Sequence, residues 1–85
     1  TDIIMAKKLF AKNEISIAEF IIPTDSFDEF RAVTAEGWKI MFSIQTDIEK
    51  QISALVIFLK EKIKPDQRPV LQYVDLRIQD RIYYK

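Results

Sequence analysis

Tyr73-Val-Asp-Leu-Arg-Ile-Gln-Asp-Arg-Ile-Tyr-Tyr-Lys85 closes the chain, and its reading decides how the rest is arranged. β-Branched and aromatic residues dominate it, which suits a pleated, half-buried surface better than a helix. Val74, Leu76 and Ile78 alternate with Tyr73, Asp75 and Arg77, a period of two that predicts a strand with one wet face. Ile82 and Tyr84 resume the apolar set after Gln79-Asp80-Arg81. A turn at 79–81 would gather Val74, Leu76, Ile78, Ile82 and Tyr84 on the core side. It would also set Arg77 across from Tyr83 and Asp75 across from Lys85. Turns of that length usually want Gly, and this one has none. A terminal strand tends to lie at a sheet edge, where unpaired backbone groups are open to a partner.

Upstream of this stretch, residues 47–64 read as a helix. Ile48, Ile52, Leu55, Val56, Leu59 and Ile63 fall on one stripe, and Thr46 with Glu49 forms a capping box. Lys60, Lys62 and Lys64 complement the dipole at its end, and Pro65 stops it. Residues 66–69 make a polar connector into a strand over 70–78. Ile57 projects away from the apolar stripe and reads as ordinary surface. Before the helix, Trp38, Ile40, Phe42 and Ile44 alternate with Lys39, Met41 and Ser43, and Phe30 and Ala32 alternate with Arg31 and Val33 over 29–34. The lone glycine, Gly37, sits in the turn between these strands, which form a hairpin. Residues 15–22 read as a further strand and 23–26 as a turn. Residues 3–12 read as a short helix that Asn13 would stop in a left-handed conformation.

The order α-β-β-β-α-β-β predicts an α+β domain: one mixed or antiparallel sheet of about five strands with two helices on one face. At 85 residues it is a single module, 1–85, that buries roughly 60–65% of its unfolded surface. Its 13 basic and 13 acidic residues cancel, so no net field attracts nucleic acid or an anionic membrane. The absence of Cys and His removes thiol and imidazole chemistry, disulfides and the usual zinc ligands. Asp25, Asp28 and Glu29 cluster, but their spacing fits no calcium loop and reads as a solvated turn. Trp38 reads as core rather than as a ligand-stacking surface. No Ser, Asp or Glu has a visible base or oxyanion loop, so the chain reads as non-catalytic and without a cofactor.

From Gly37 to Lys85 the chain resembles the C-terminal β-domain of the FtsQ/DivIB bacterial cell-division family. The residues that carry this are Gly37-Trp38 leading into a strand, the Lys-rich helix, a Pro-containing connector and Tyr73-Val-Asp-Leu-Arg77. Residues 1–36 match only in the order of elements. The resemblance implies a divisome scaffold on the extracytoplasmic side, part of a longer protein anchored in the cell membrane. It implies FtsB/FtsL-like partners, with an added strand pairing along 82–85. It also implies that Arg77 meets an acidic residue of the partner. The family commonly has an aromatic residue after that Arg, where this chain has Ile78. The expected partner-binding set is Arg77, Ile78, Arg81, Ile82, Tyr83, Tyr84 and Lys85. The competing expectations are an intracellular α+β adaptor, or a self-associating domain that dimerises through its last strand. A small ligand-binding or enzymatic domain with its site near Trp38 is a third.

Overall fold

The computed structural model describes residues 2–22, 28–44, 47–78 and 81–85. In chain order these form α1 (Asp2–Lys12), β1 (Ile17–Ile21), β2 (Glu29–Thr34), β3 (Lys39–Ser43), α2 (Ile48–Lys62), a 3-10 helix (Pro65–Val70), β4 (Tyr73–Asp75) and β5 (Tyr83–Tyr84). The five strands make one sheet in the order β1-β2-β3-β4-β5. All neighbours are antiparallel except β3 and β4, which run parallel because α2 carries the chain back across the sheet. The fold is therefore the expected α+β arrangement with a mixed sheet.

Both helices cover one face. Side chains of β2 and β3 alternate strictly, so Phe30, Ala32, Ile40 and Phe42 are buried beneath the helices. Four phenylalanines, Phe10 of α1, Phe20 of β1, Phe30 of β2 and Phe42 of β3, form a closed ring of tilted contacts. Centroid distances run from 4.8 Å for Phe30–Phe42 to 6.4 Å for Phe20–Phe30. Aromatic pairs in this geometry contribute about 0.5–1.5 kcal/mol beyond their buried area. From α2, Ile48, Ile52, Leu55 and Leu59 complete the core with Trp38 and Val74.

Helix ends depart from the expected chemistry in informative ways. Glu14, not Asn13, takes the left-handed conformation after α1, at φ 61°. Ile15 N–H donates to the Phe10 carbonyl at 2.9 Å and Glu14 N–H to Ala11 at 3.2 Å, the paired bonds of a Schellman motif. Asn13 instead spends its side-chain amide on the Leu9 carbonyl at 2.8 Å. The contact that closes the motif is apolar: Ile15 joins Phe10 in the core. That burial holds a glutamate in a conformation costing about 1–2 kcal/mol. Residues 15 and 16 thus belong to the cap, and β1 begins only at Ile17.

At α2 the N-cap is Asp47, whose carboxylate accepts from Glu49 N–H at 2.9 Å. Thr46, the expected cap, lies outside the described residues, as do the turn at 23–26 and Gln79-Asp80. The helix ends at Lys62, and Ile63 and Lys64 are already extended ahead of Pro65. A Gln51 side chain on α2 then bonds both backbone groups of Ser43, at 2.9 and 2.7 Å, pinning the end of β3 as a neighbouring strand would. Gly37 has φ 103°, as its turn requires.

Two strands are shorter than the alternation suggested. Ile44 lies beyond β3 and is exposed rather than part of the core face. Val70 and Leu71 do not join β4. The 3-10 helix, with Pro at 65 and 69, keeps Val70 the most exposed large apolar side chain among the described residues, at 76%.

Candidate docking edge

β5 lies at one edge of the sheet, beside β4 only. Its register differs from the expected one. Val74 faces Tyr84 and Asp75 faces Tyr83, a slip of two residues from the pairing of Asp75 with Lys85. A slip of two preserves which face each side chain occupies, so the inward and outward sets survive. Its cause is Asp75. The Asp75 carboxylate accepts from Arg77 N–H at 3.0 Å, an Asx-type turn that takes the chain out of β4 before Ile78 can pair. Ile78 is consequently 52% exposed and not part of the core. Arg81 N–H donates back to the Ile78 carbonyl at 3.2 Å and closes the connection.

The hydrogen bonds of Lys85 orient the edge. Lys85 and Tyr73 exchange both backbone bonds, at 3.1 and 3.2 Å. In an antiparallel ladder such residues alternate with ones whose N–H and C=O point the other way. Tyr83 therefore faces β4, while the backbone groups of Tyr84 and Ile82 face out from the sheet. Tyr84 lies on the helix side, where its ring meets Phe58 of α2 edge-on at 4.8 Å. Ile82 packs half-buried against the core. Tyr83 stands exposed on the open face opposite Asp75.

The open face also carries Arg77, which is not a free cation. Its Nε and one terminal nitrogen grip the two Asp75 oxygens at 2.9 and 2.7 Å, and the other terminal nitrogen donates to Glu29. Arg31 joins from β2, 3.3 Å from the second Glu29 oxygen. Two guanidiniums and two carboxylates thus form one chain of charge on the face without helices. Burial opposes ionisation of Asp75, but the side-chain and backbone hydrogen bonds from Arg77 outweigh it and leave its pKa below the ordinary 3.8. Glu29 is likewise held below 4.5, mainly by its hydrogen bond from Arg77. The Arg77 guanidinium is held charged more firmly than usual by Asp75 first and Glu29 second.

The seven expected docking residues thus divide. Ile82, Tyr83, Tyr84 and Lys85 share the edge strand and its flank, while Ile78 and Arg81 lie at the turn and Arg77 is committed to its own sheet. Glu29, Arg31 and Phe58 were missing from that set. Glu29 belongs to β2 and to the Arg77 network rather than to a solvated turn. The visible signal was its place in phase with Arg31 on the polar side of the strand. Trp38 is fully buried, and its indole N–H donates to Glu36 at 3.1 Å. Among the described residues no cluster of His, Cys, Asp or Glu could hold a metal ion, and no helix is long and apolar enough to cross a membrane. No family model matches the chain, and no curated protein matches it significantly.

Proposed function

We propose that this chain is a non-catalytic docking module that accepts a strand from another protein along β5. The observation that carries the reading is the open edge, where the N–H and C=O of Ile82 and Tyr84 point outward beside exposed aromatic rings. Strand addition takes its affinity from such backbone groups and its specificity from pockets for alternate side chains. On this reading the resemblance of Gly37–Lys85 to FtsQ/DivIB proteins supplies the context. The parent is then a membrane-anchored division protein, with this domain on the extracytoplasmic side and an FtsB/FtsL-like segment as the added strand.

Arg77 takes a different part in this proposal from the one the resemblance implies. With Asp75 and Glu29 already engaging its guanidinium, it holds the turn between β4 and β5 and so positions the edge. Ile82→Pro tests the docking. Proline deletes the outward N–H of residue 82, and its ring suits an edge position, so the ladder to β4 is spared. Binding of an FtsB-like strand peptide, followed calorimetrically, is expected to fall at least about tenfold for a lost backbone hydrogen bond with strained pairing. Unchanged affinity in a variant with the wild-type melting temperature would sink the reading.

A further inference from the structure

The sheet has a second open edge, and its chemistry matches the first. β1 pairs with β2 only. Thr34 of β2 donates to Trp38 across the hairpin, so by alternation Val33 and Arg31 turn toward β1 and bond with their partners Glu19 and Ile21. The backbone groups of Phe20 and Ile22 therefore point outward, as those of Tyr84 and Ile82 do on β5. A bulge between Ile17 and Glu19 interrupts β1, leaving Glu19 to Ile22 as its regular outer segment.

From this match we infer that copies of the chain associate head to tail, β5 of one against β1 of the next. One antiparallel register engages both outward residues of each edge without entering the bulge. It sets Phe20 against Tyr84, Ile22 against Ile82, Glu19 against Lys85 and Ile21 against Tyr83. Each pair lies on a common face of the joined sheet. The first two are apolar matches and the third brings an exposed acid to an exposed base. Ile22 is 62% exposed, and Ile21, Tyr83 and Tyr84 also stand exposed before association. On the helix side, Tyr84 of one copy meets an open groove of about 780 Å³ between α1 and β1, lined by Lys7, Phe10 and Phe20 of the next.

The topology permits this. β5 runs antiparallel to β1 within one chain, so an antiparallel junction leaves the neighbour in the same orientation with its helices on the same side. The contact joins two different surfaces and is not two-fold, so it propagates rather than closing at two. It stands apart from the docking of a foreign strand, with which it would compete for β5.

Sedimentation of the wild-type chain into the millimolar range tests the idea, with Glu19→Lys and Lys85→Glu as variants. The wild-type mass should grow past the dimer with concentration. Each variant alone places like charges opposite one another and should need about tenfold more protein to associate. An equimolar mixture of the two variants restores every opposite-charge pair and should recover wild-type association. A monomer throughout, a mass that stops at two, a Glu19→Lys variant that behaves as wild type, or a mixture no better than its components would each overturn the inference. Docking of a foreign strand at β5 is read separately, because Glu19→Lys leaves that edge untouched and should bind an FtsB-like peptide as wild type does.

Discussion

On the helix-covered face, β2 and β3 contribute Phe30, Ala32, Ile40 and Phe42, all sealed from solvent. One residue along the same strands, the open face carries Glu29, Arg31, Lys39 and Met41, and β4 adds Asp75. The backbone is shared and its hydrogen bonds serve both sides. What differs is the kind of force each side can use. The covered face is held by area removed from water, which is non-directional and tolerant of register in detail. The open face buries less apolar area, with Val33 and Met41 only half-buried, and it adds directed bonds between Arg77, Asp75, Glu29 and Arg31. Apolar packing therefore accounts for most of the stability, while the charged network fixes where β4 ends and how β5 is presented.

This contrast can be broken most severely on the covered side. Phe42 contacts Phe10 at 5.5 Å and Phe30 at 4.8 Å, so it links α1 to the hairpin. Phe42→Ala should cost about 3–5 kcal/mol, a large part of what a domain this small possesses. Urea unfolding at neutral pH measures it. A loss below about 1 kcal/mol would mean that the phenylalanine ring collapses on the cavity with little penalty and that the core is less committed than it looks.

On the open side the expected loss is smaller but carries a second signature. Asp75 accepts three bonds from Arg77, one backbone and two side-chain, with 12% of its side chain exposed. Asp75→Ala should destabilise by about 2 kcal/mol, since charge-assisted bonds are lost and Arg77 keeps only Glu29. It should also release the turn after β4, seen as faster amide exchange at Arg77 and Tyr83. Unchanged exchange at those amides would show that the network decorates the turn without setting it.

The two faces were also unequally legible in the sequence. Alternation alone places Phe30, Ala32, Ile40, Phe42 and Val74 inside, because burial is a property each residue carries with it. The helical stripe of α2 is readable for the same reason. The network was not readable, because the Arg77–Glu29 bond depends on two facts that no local pattern contains. β4 lies beside β3 in parallel, and the chain leaves β4 at Asp75 instead of running on to Ile78. The register of β5 was missed by two residues through the same local event, an aspartate bonding the backbone two positions on. Glu14 is similar: its left-handed conformation follows from the burial of Ile15 against Phe10, a tertiary contact, and not from its own preference.

Acid should separate the two faces without any change of core residues. Glu29 and Asp75 both ionise more readily in the folded chain than at their ordinary 4.5 and 3.8. Above those values both carboxylates are ionised whether the chain is folded or not, so stability is flat and the network contributes fully. As pH falls below them, the unfolded chain binds protons that the folded chain still refuses, and stability drops until the folded values are passed. The covered face carries no titrating group in its apolar core, so it should contribute no slope there. Arg77→Gln removes the largest cause of the Glu29 shift and the bonds that offset burial at Asp75. Its stability should therefore start lower at neutral pH and fall less steeply in acid than the wild type's. Urea midpoints for both proteins at pH 7 and at several points below 4.5 give the comparison. Parallel acid limbs would mean that Arg77 does not set these two carboxylates, and the charged face would then be held by shape and backbone bonding rather than by its ions.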